Sequence, residues 1–186
     1  MKILVDCGAY TGDSLPVLLK LFGPFERIIC FEPNPNLKVV RPDTTWAAFE
    51  VHRCAVWTNN AQVRFYLGED NKQSSLMENK STGNLCRDRS AMVEAIDFSG
   101  WLEENTRPDD RLTIKMDIEG AEFDVLERLA AHPVRKRIEH LLDEWHHNRL
   151  RPRWRYRIRR RLLELRFWLM KKPIRVWSRR RIPQTV

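Results

Sequence analysis

Residues 2–12 (Lys-Ile-Leu-Val-Asp-Cys-Gly-Ala-Tyr-Thr-Gly) constrain the fold more than any other stretch of the chain. Ile3, Leu4 and Val5 form a short apolar run, as in a strand buried on both faces. Asp6 closes that run with a carboxylate. Gly8 and Gly12 then permit a tight turn and a close backbone approach. Asp13 and Ser14 can cap a helix whose apolar positions are Leu15, Leu18, Leu19 and Phe22. Strand, glycine turn and helix together make the nucleotide-holding unit of doubly wound α/β proteins. These glycines do not spell the dinucleotide fingerprint G-x-G-x-x-G, and Tyr10 would crowd a pyrophosphate. A ligand without phosphates, such as S-adenosylmethionine, suits the turn better; an ordinary strand-to-helix turn is the alternative.

The same pattern returns later in the chain. Residues 111–117 read as a strand, Asp117-Ile-Glu-Gly-Ala-Glu122 as the turn, and Phe123, Val125, Leu126 and Leu129 as the apolar face of a helix. Between the two units, residues 27–31 form another buried strand ending in Glu32-Pro-Asn-Pro35. Glu32 lies 20 residues beyond Gly12. At that distance an acidic residue meets a ribose hydroxyl pair, which a carboxylate binds more strongly than an amide can. A solvated acid in a proline-rich turn is the competing reading. Asp6, Glu32 and Asp117 all fall at the carboxyl ends of strands, where open α/β sheets bind ligands.

The remaining segments fill in the architecture. Pro35 and Pro42 leave room for a short helix between them. Residues 49–57 read as one strand carrying Val51, Cys54, Ala55 and Val56, and 61–67 alternate as a hairpin partner. The polar stretch 68–89 is long for a structureless loop, so it is read as a lid or substrate loop, or else an insertion. Residues 94–98 suggest a short strand, 99–105 a helix and 136–145 a strand. The last of these leads into Asp143-Glu-Trp-His-His147. Glu144 and His146 share a face by the period of two. They form either a general-base or divalent-metal cluster or, as the preferred reading, a hydrogen-bonded pair at the sheet end; no metal ligand is assigned.

Charge divides the chain in two. Residues 149–186 hold fifteen of the 33 Lys and Arg and one of the 25 acids, Glu164. Trp154, Ile158, Leu162, Leu165 and Leu169 recur there at helical spacing. The reading is a helix whose apolar stripe packs on the sheet and whose arginines form an outer strip, followed by an edge strand at 174–177. Such a strip suits an anionic membrane surface better than nucleic acid, for which no recognition module is visible. The expected division is a core at 1–148 and a basic segment at 149–186 that completes the same domain. Four scattered cysteines without a C-x-x-C pair argue against zinc and disulfides. With no secretory leader and no membrane-length apolar run, the expected location is the cytoplasm, with the tail peripheral to a membrane.

Four motifs carry a resemblance. They are Val5-Asp-Cys-Gly-Ala-Tyr-Thr-Gly12, Phe31-Glu-Pro-Asn34, Ala55-Val-Trp57 and, most specifically, Lys115-Met-Asp-Ile-Glu-Gly-Ala-Glu122. Together, over residues 1–147, they resemble the FkbM family of S-adenosylmethionine-dependent methyltransferases. The resemblance implies a class I methyltransferase fold: an open Rossmann-like α/β sheet, mostly parallel with an antiparallel last strand, in three αβα layers. It implies O-methylation of a sugar, glycolipid or small natural product. It implies cofactor contacts at Asp6, Gly8, Ala9, Tyr10, Gly12, Glu32, Asn34, Ala55 and Asp117, with Glu32 on the ribose and Asp117 on the methyl-transfer face. Asp117 is the first candidate base, with Glu144 and His146 as rivals. Family members usually carry sequence before the first strand, and the arginine-dense tail is outside the pattern. Two other functions compete: a nicotinamide-dependent dehydrogenase, which the Ala9–Tyr10 turn disfavours, and a non-catalytic binding protein that presents its basic tail.

Overall fold

The computed structural model describes residues 1–44, 46–68, 73–82 and 89–178. Its centre is strand β1 (Lys2–Cys7), in which Ile3 to Cys7 are all buried. Parallel strands flank it on both sides: β2 (Arg27–Phe31) and, from far along the chain, β7 (Arg111–Met116). With β3 (Ala48–His52), β8 (Ile138–Asp143) and β9 (Ile174–Val176) the sheet runs β3-β2-β1-β7-β8-β9, every pairing parallel. The chain leaves β1 in one direction and returns at β7 to build in the other. The carboxyl ends of β1 and β7 therefore meet at the topological switch point.

Alternation sorts the strand residues between two layers. Leu4, Ile28 and Cys30 pack under helix α1 (Leu15–Phe22). Ile3, Val5, Ile29, Ile114 and Met116 pack under α2 (Phe98–Asn105), α3 (Glu122–Ala131) and α4 (Arg153–Leu169). A second sheet, β4-β6-β5, stands apart from the first; β4 (Ala55–Trp57) is parallel to β6 (Ser90–Asp97), and β5 (Ala61–Tyr66) is antiparallel to it.

The α/β class and the parallel sheet match expectation, but several details change. The last strand, β9, pairs parallel with β8. The reason is the connection: α4 carries the chain back along the sheet, so β8, α4 and β9 form a crossover unit, which joins parallel strands. Residues 49–57 are not one strand; the chain breaks at Arg53–Cys54 and passes from the first sheet to the second. No helix forms between Pro35 and Pro42. Ser14 does not cap α1, because its hydroxyl donates instead to Asp6 Oδ2 at 2.5 Å. Cys7, Cys30 and Cys54 are free buried thiols, and Cys86 lies outside the described residues.

The largest reversal concerns α4. Tyr156, Leu163 and Phe167 are buried against the body, whereas Trp154, Ile158, Leu162, Leu165 and Leu169 face outward. Arg159 helps set that choice by bonding Asp124 and Glu127 of α3 and lying over the Phe123 ring. No described helix is long and apolar enough to cross a membrane.

Candidate active site

A cavity of about 590 Å³ opens beyond the carboxyl ends of β1, β2, β7 and β8. That volume lies in the range of small-molecule sites. Gly8, Tyr10, Glu32, Asp117 and Glu144 line it from the first sheet. Ala55, Val56 and Phe65 close it from the second sheet, with Gln73, Ser74 and Leu76 from the segment that follows. Part of the expected lid is thus a wall of the cavity; residues 69–72 and 83–88 lie outside the described residues. Asp6, Ala9, Gly12, Asn34 and His146 are not on the cavity wall.

Asp6 sits one layer deeper. It is opposite Lys115 in the β1–β7 register, and both are fully buried. Lys115 Nζ lies 3.0 Å from Asp6 Oδ1 and 3.5 Å from Asp117 Oδ2, and it donates to the Gly8 carbonyl at 2.9 Å. One ammonium therefore ties together both strands and both turns. Breaking a buried pair of this kind typically costs about 3–5 kcal/mol, because the remaining charge loses its partner.

Gly8 has φ +76, and a Cβ placed on it would lie 2.0 Å from the Asp117 carbonyl oxygen. Its glycine is thus demanded by the protein's own β7 turn, whatever ligand binds above. Gly12, φ +87, plays the smaller counterpart against the Val40 carbonyl.

Glu32 is nearly buried at the end of β2, and backbone donors hold each of its oxygens. Tyr10 N donates to Oε2 at 2.8 Å and Asn34 N to Oε1 at 2.9 Å. Burial raises its pKa, with those two hydrogen bonds opposing. Each carboxylate oxygen offers more than one acceptor site, so a diol can still bind. Tyr10 reaches this geometry at φ +53, a left-handed backbone uncommon for an aromatic residue. Asn34 thus acts through its backbone, while its side chain accepts from Asn36 N.

The β7 end carries a cluster of acids around one histidine. Asp117 lines the cavity, and Glu119 follows it at φ +54. Arg149 donates to both Glu119 oxygens at 2.7 and 2.9 Å, and Lys80 Nζ lies 2.9 Å from Oε2. His146 is buried; its Nδ1 is 3.2 Å from Glu122 Oε1, which also accepts the His146 backbone N–H. Its Nε2 looks toward Glu119, Asp117 and Glu144 at 3.6, 3.7 and 3.9 Å. Burial alone would lower the His146 pKa, but Glu122, Glu119 and Asp117 outweigh it and raise it to about 9. His146 is accordingly an imidazolium at neutral pH, a poor base but a counterion for the acids. Glu144 is shifted upward by burial and by repulsion from Asp117.

Asp117, Glu119 and His146 bring potential metal ligands within 4.8 Å of one another. A cation there would compete with Arg149 and Lys80, which already neutralise Glu119. The chemistry of the donor set therefore fits a protonated histidine better than a metal.

Asp143 ends β8 beneath this cluster, fully buried, and neither of its oxygens finds a hydrogen-bond donor among the described residues. Burial, then Glu122 and Asp117, push its pKa well upward. A carboxyl raised in the folded state holds a proton that the unfolded chain releases. Its stabilising effect is complete below the unfolded value near 3.8 and is lost as pH rises through the folded one. Asp143→Asn is therefore expected to raise stability at pH 7 by on the order of 1 kcal/mol, about 2–4 °C in Tm, with the gap closing below about pH 4. Thermal melts of both proteins across that range check it; a gap independent of pH would be the contrary result.

Sequence reasoning had missed Lys80, Lys115, Glu119, Glu122 and Arg149. Lys115 had a visible signal: it is a charge placed near the end of an otherwise apolar buried strand, next but one to Asp117. Lys80 and Arg149 had none, because a loop contact 30 or more residues away leaves no periodicity.

An open parallel sheet with its cavity at the switch point, an acid at the end of β2 and another at the end of β7 is the arrangement in which doubly wound α/β proteins hold nucleotides and nucleosides. The family model for the methyltransferase FkbM domain matches residues 6–169, and the chain belongs to that family. No curated protein matches. The crystal structure of methyltransferase FkbM from Methylobacillus flagellatus KT is 21% identical with a TM-score of 0.41. That match covers 70% of this chain and 30% of the other, so this chain spans under a third of that protein's length.

Proposed function

We propose that this chain is an S-adenosylmethionine-dependent methyltransferase of class I architecture that methylates a hydroxyl on a sugar, glycolipid or small natural product. Membership of the FkbM family supports the donor and the reaction. The observation that carries the reading is Glu32, held by two backbone N–H groups with acceptor capacity directed at a cavity of ligand size. When bound, the sulfonium cofactor supplies the electrophilic methyl group.

The chain's residues supply position and proton transfer. Glu32 accepts from the ribose hydroxyls. The turn at Gly8 and Tyr10, together with Ala55 of β4, shapes the cofactor pocket. Asp6 acts from behind the wall by holding Lys115, and so the two turns, in register. In-line displacement needs the acceptor oxygen about 3–3.5 Å from the methyl carbon with its proton removed as the bond forms. Asp117, on the cavity wall, takes that proton, and the His146 imidazolium lies behind it with Nε2 3.7 Å from Asp117 Oδ1. Glu144 borders the acceptor side.

Titration calorimetry with S-adenosylhomocysteine and with NAD, side by side, tests the reading. Binding of the first and not the second is expected. Glu32→Ala is expected to weaken S-adenosylhomocysteine by roughly 1.5–3 kcal/mol, the range for a hydrogen bond to a charged group. Unchanged affinity in a folded Glu32→Ala protein would remove the ribose assignment, and NAD binding would move the chain to the dehydrogenase class.

A further inference from the structure

We propose that the outer face of α4 docks this protein onto an anionic lipid surface, with the helix lying in the membrane plane. The proposal does not depend on methyl transfer. Its basis is the exposed stripe: Trp154 66%, Ile158 52%, Leu162 60%, Leu165 51%, Trp168 64% and Leu169 67% exposed. At 100° per residue these six occupy an arc of about 120°. The stripe runs the length of a 17-residue helix, about 25 Å at 1.5 Å per residue. Scattered apolar residues are ordinary on surfaces; a continuous stripe of six is not.

The charges beside the stripe select its partner. Arg155 and Arg166 border one edge and Arg157 the other, Arg161 lies within the arc between Trp154 and Trp168, and all four are exposed. Among the described residues Arg155, Arg157 and Arg166 have no acidic partner, and the helix's single acid, Glu164, is engaged with Arg160 and Arg161. An apolar stripe flanked by arginines on both edges, with tryptophan near both ends, matches the boundary between acyl chains and acidic headgroups. Arginine stems can lie along the apolar surface while their guanidinium groups reach phosphate. The other occupants fit less well. A nucleic acid would satisfy the arginines and leave Ile158, Leu162 and Leu165 in water. A second copy would cover the stripe but bring the arginines that flank and interrupt it against those of its partner, like charge on like charge.

Co-sedimentation of the full chain with vesicles of neutral phospholipid, and of neutral phospholipid containing about a third phosphatidylserine or phosphatidylglycerol, tests the proposal. Binding to the anionic vesicles is expected, stronger than to the neutral ones and weakened by salt over the physiological range. Because both side chains are more than half exposed, an Ile158→Asp, Leu165→Asp double variant is expected to keep its melting curve while losing at least about tenfold in vesicle binding. Arg155→Gln with Arg166→Gln is expected to flatten the salt dependence. Absence of vesicle binding at low salt would overturn the proposal, as would binding that the double aspartate variant leaves unchanged. Binding of a single-stranded RNA in preference to the vesicles, or a dimer in sedimentation velocity that the aspartates dissociate, would overturn it in favour of the corresponding partner.

Discussion

Gly8→Ala is expected to cost more than about 4 kcal/mol, the range reserved for severe core disruption, and Gly8→Val to prevent folding of the free protein. Two costs combine. An L side chain at φ +76 enters the left-handed region at a penalty of roughly 1–2 kcal/mol. Its Cβ would also lie 2.0 Å from the Asp117 carbonyl oxygen, and that backbone has nowhere to go. Asp117 N donates to the Cys7 carbonyl at 3.0 Å, continuing the β1–β7 ladder, while Gly8 N donates to the Phe31 carbonyl at 3.0 Å. Relief would require the two central strands to part at their carboxyl ends, where Lys115 binds both turns. A domain with about 5–15 kcal/mol of total stability cannot absorb much of that. Chemical denaturation without ligand checks the point, with Gly12→Ala as a milder comparison, since the nearest atom there is 2.7 Å away. The alternative reading gives Gly8 to the cofactor contact that the resemblance implies. A Gly8→Ala protein that folds normally yet fails to bind ligand would restore that reading.

Much of the sheet was legible because its strands are buried on both faces. Residues 2–7, 27–31 and 111–116 are short apolar runs ending in carboxylate and glycine or proline, and few other structures accept such runs. What stayed hidden is what periodicity does not encode. The helical spacing in α4 marks two candidate faces, and the Trp154–Leu169 stripe has the larger apolar count. The buried face is nevertheless Tyr156, Leu163 and Phe167, selected by the aromatic packing of Phe123 on Tyr156 and by the Arg159 bridges to α3. The division of residues 49–57 between two sheets was equally hidden, because both halves have strand composition and only the break at Arg53–Cys54 distinguishes them. Within the site, the acids at strand ends could be placed by counting. The pairs Asp6–Lys115 and Glu122–His146 join residues 109 and 24 positions apart, and only the folded register brings them together.

Asp117→Asn is expected to lower turnover by about 10²–10⁴-fold, the contribution of a positioned general base, while leaving the fold and cofactor affinity close to normal. The amide keeps the shape of the side chain but cannot take the acceptor's proton. The surroundings tolerate the loss of charge. Lys115 retains Asp6 at 3.0 Å and the Gly8 carbonyl at 2.9 Å, and Glu119, Glu122 and Glu144 remain around His146. Removing one acid also lessens the repulsion that lifts Glu144 and Asp143. The pH dependence separates the candidate bases. His146 as base would make the rate climb about tenfold per pH unit up to its pKa of about 9, because only the neutral imidazole accepts a proton. Asp117 as base predicts no such climb between neutrality and about pH 9. His146→Phe then separates support from chemistry: it strands the buried Glu122 carboxylate and is expected to cost about 3–5 kcal/mol of stability. The stability that His146 contributes is present below its unfolded value of 6.5 and is lost as pH rises through about 9, so the two proteins' melting curves converge under alkaline conditions. Full turnover in the Asp117→Asn protein would exclude Asp117 as the base and leave Glu144, also on the cavity wall, as the group to replace next.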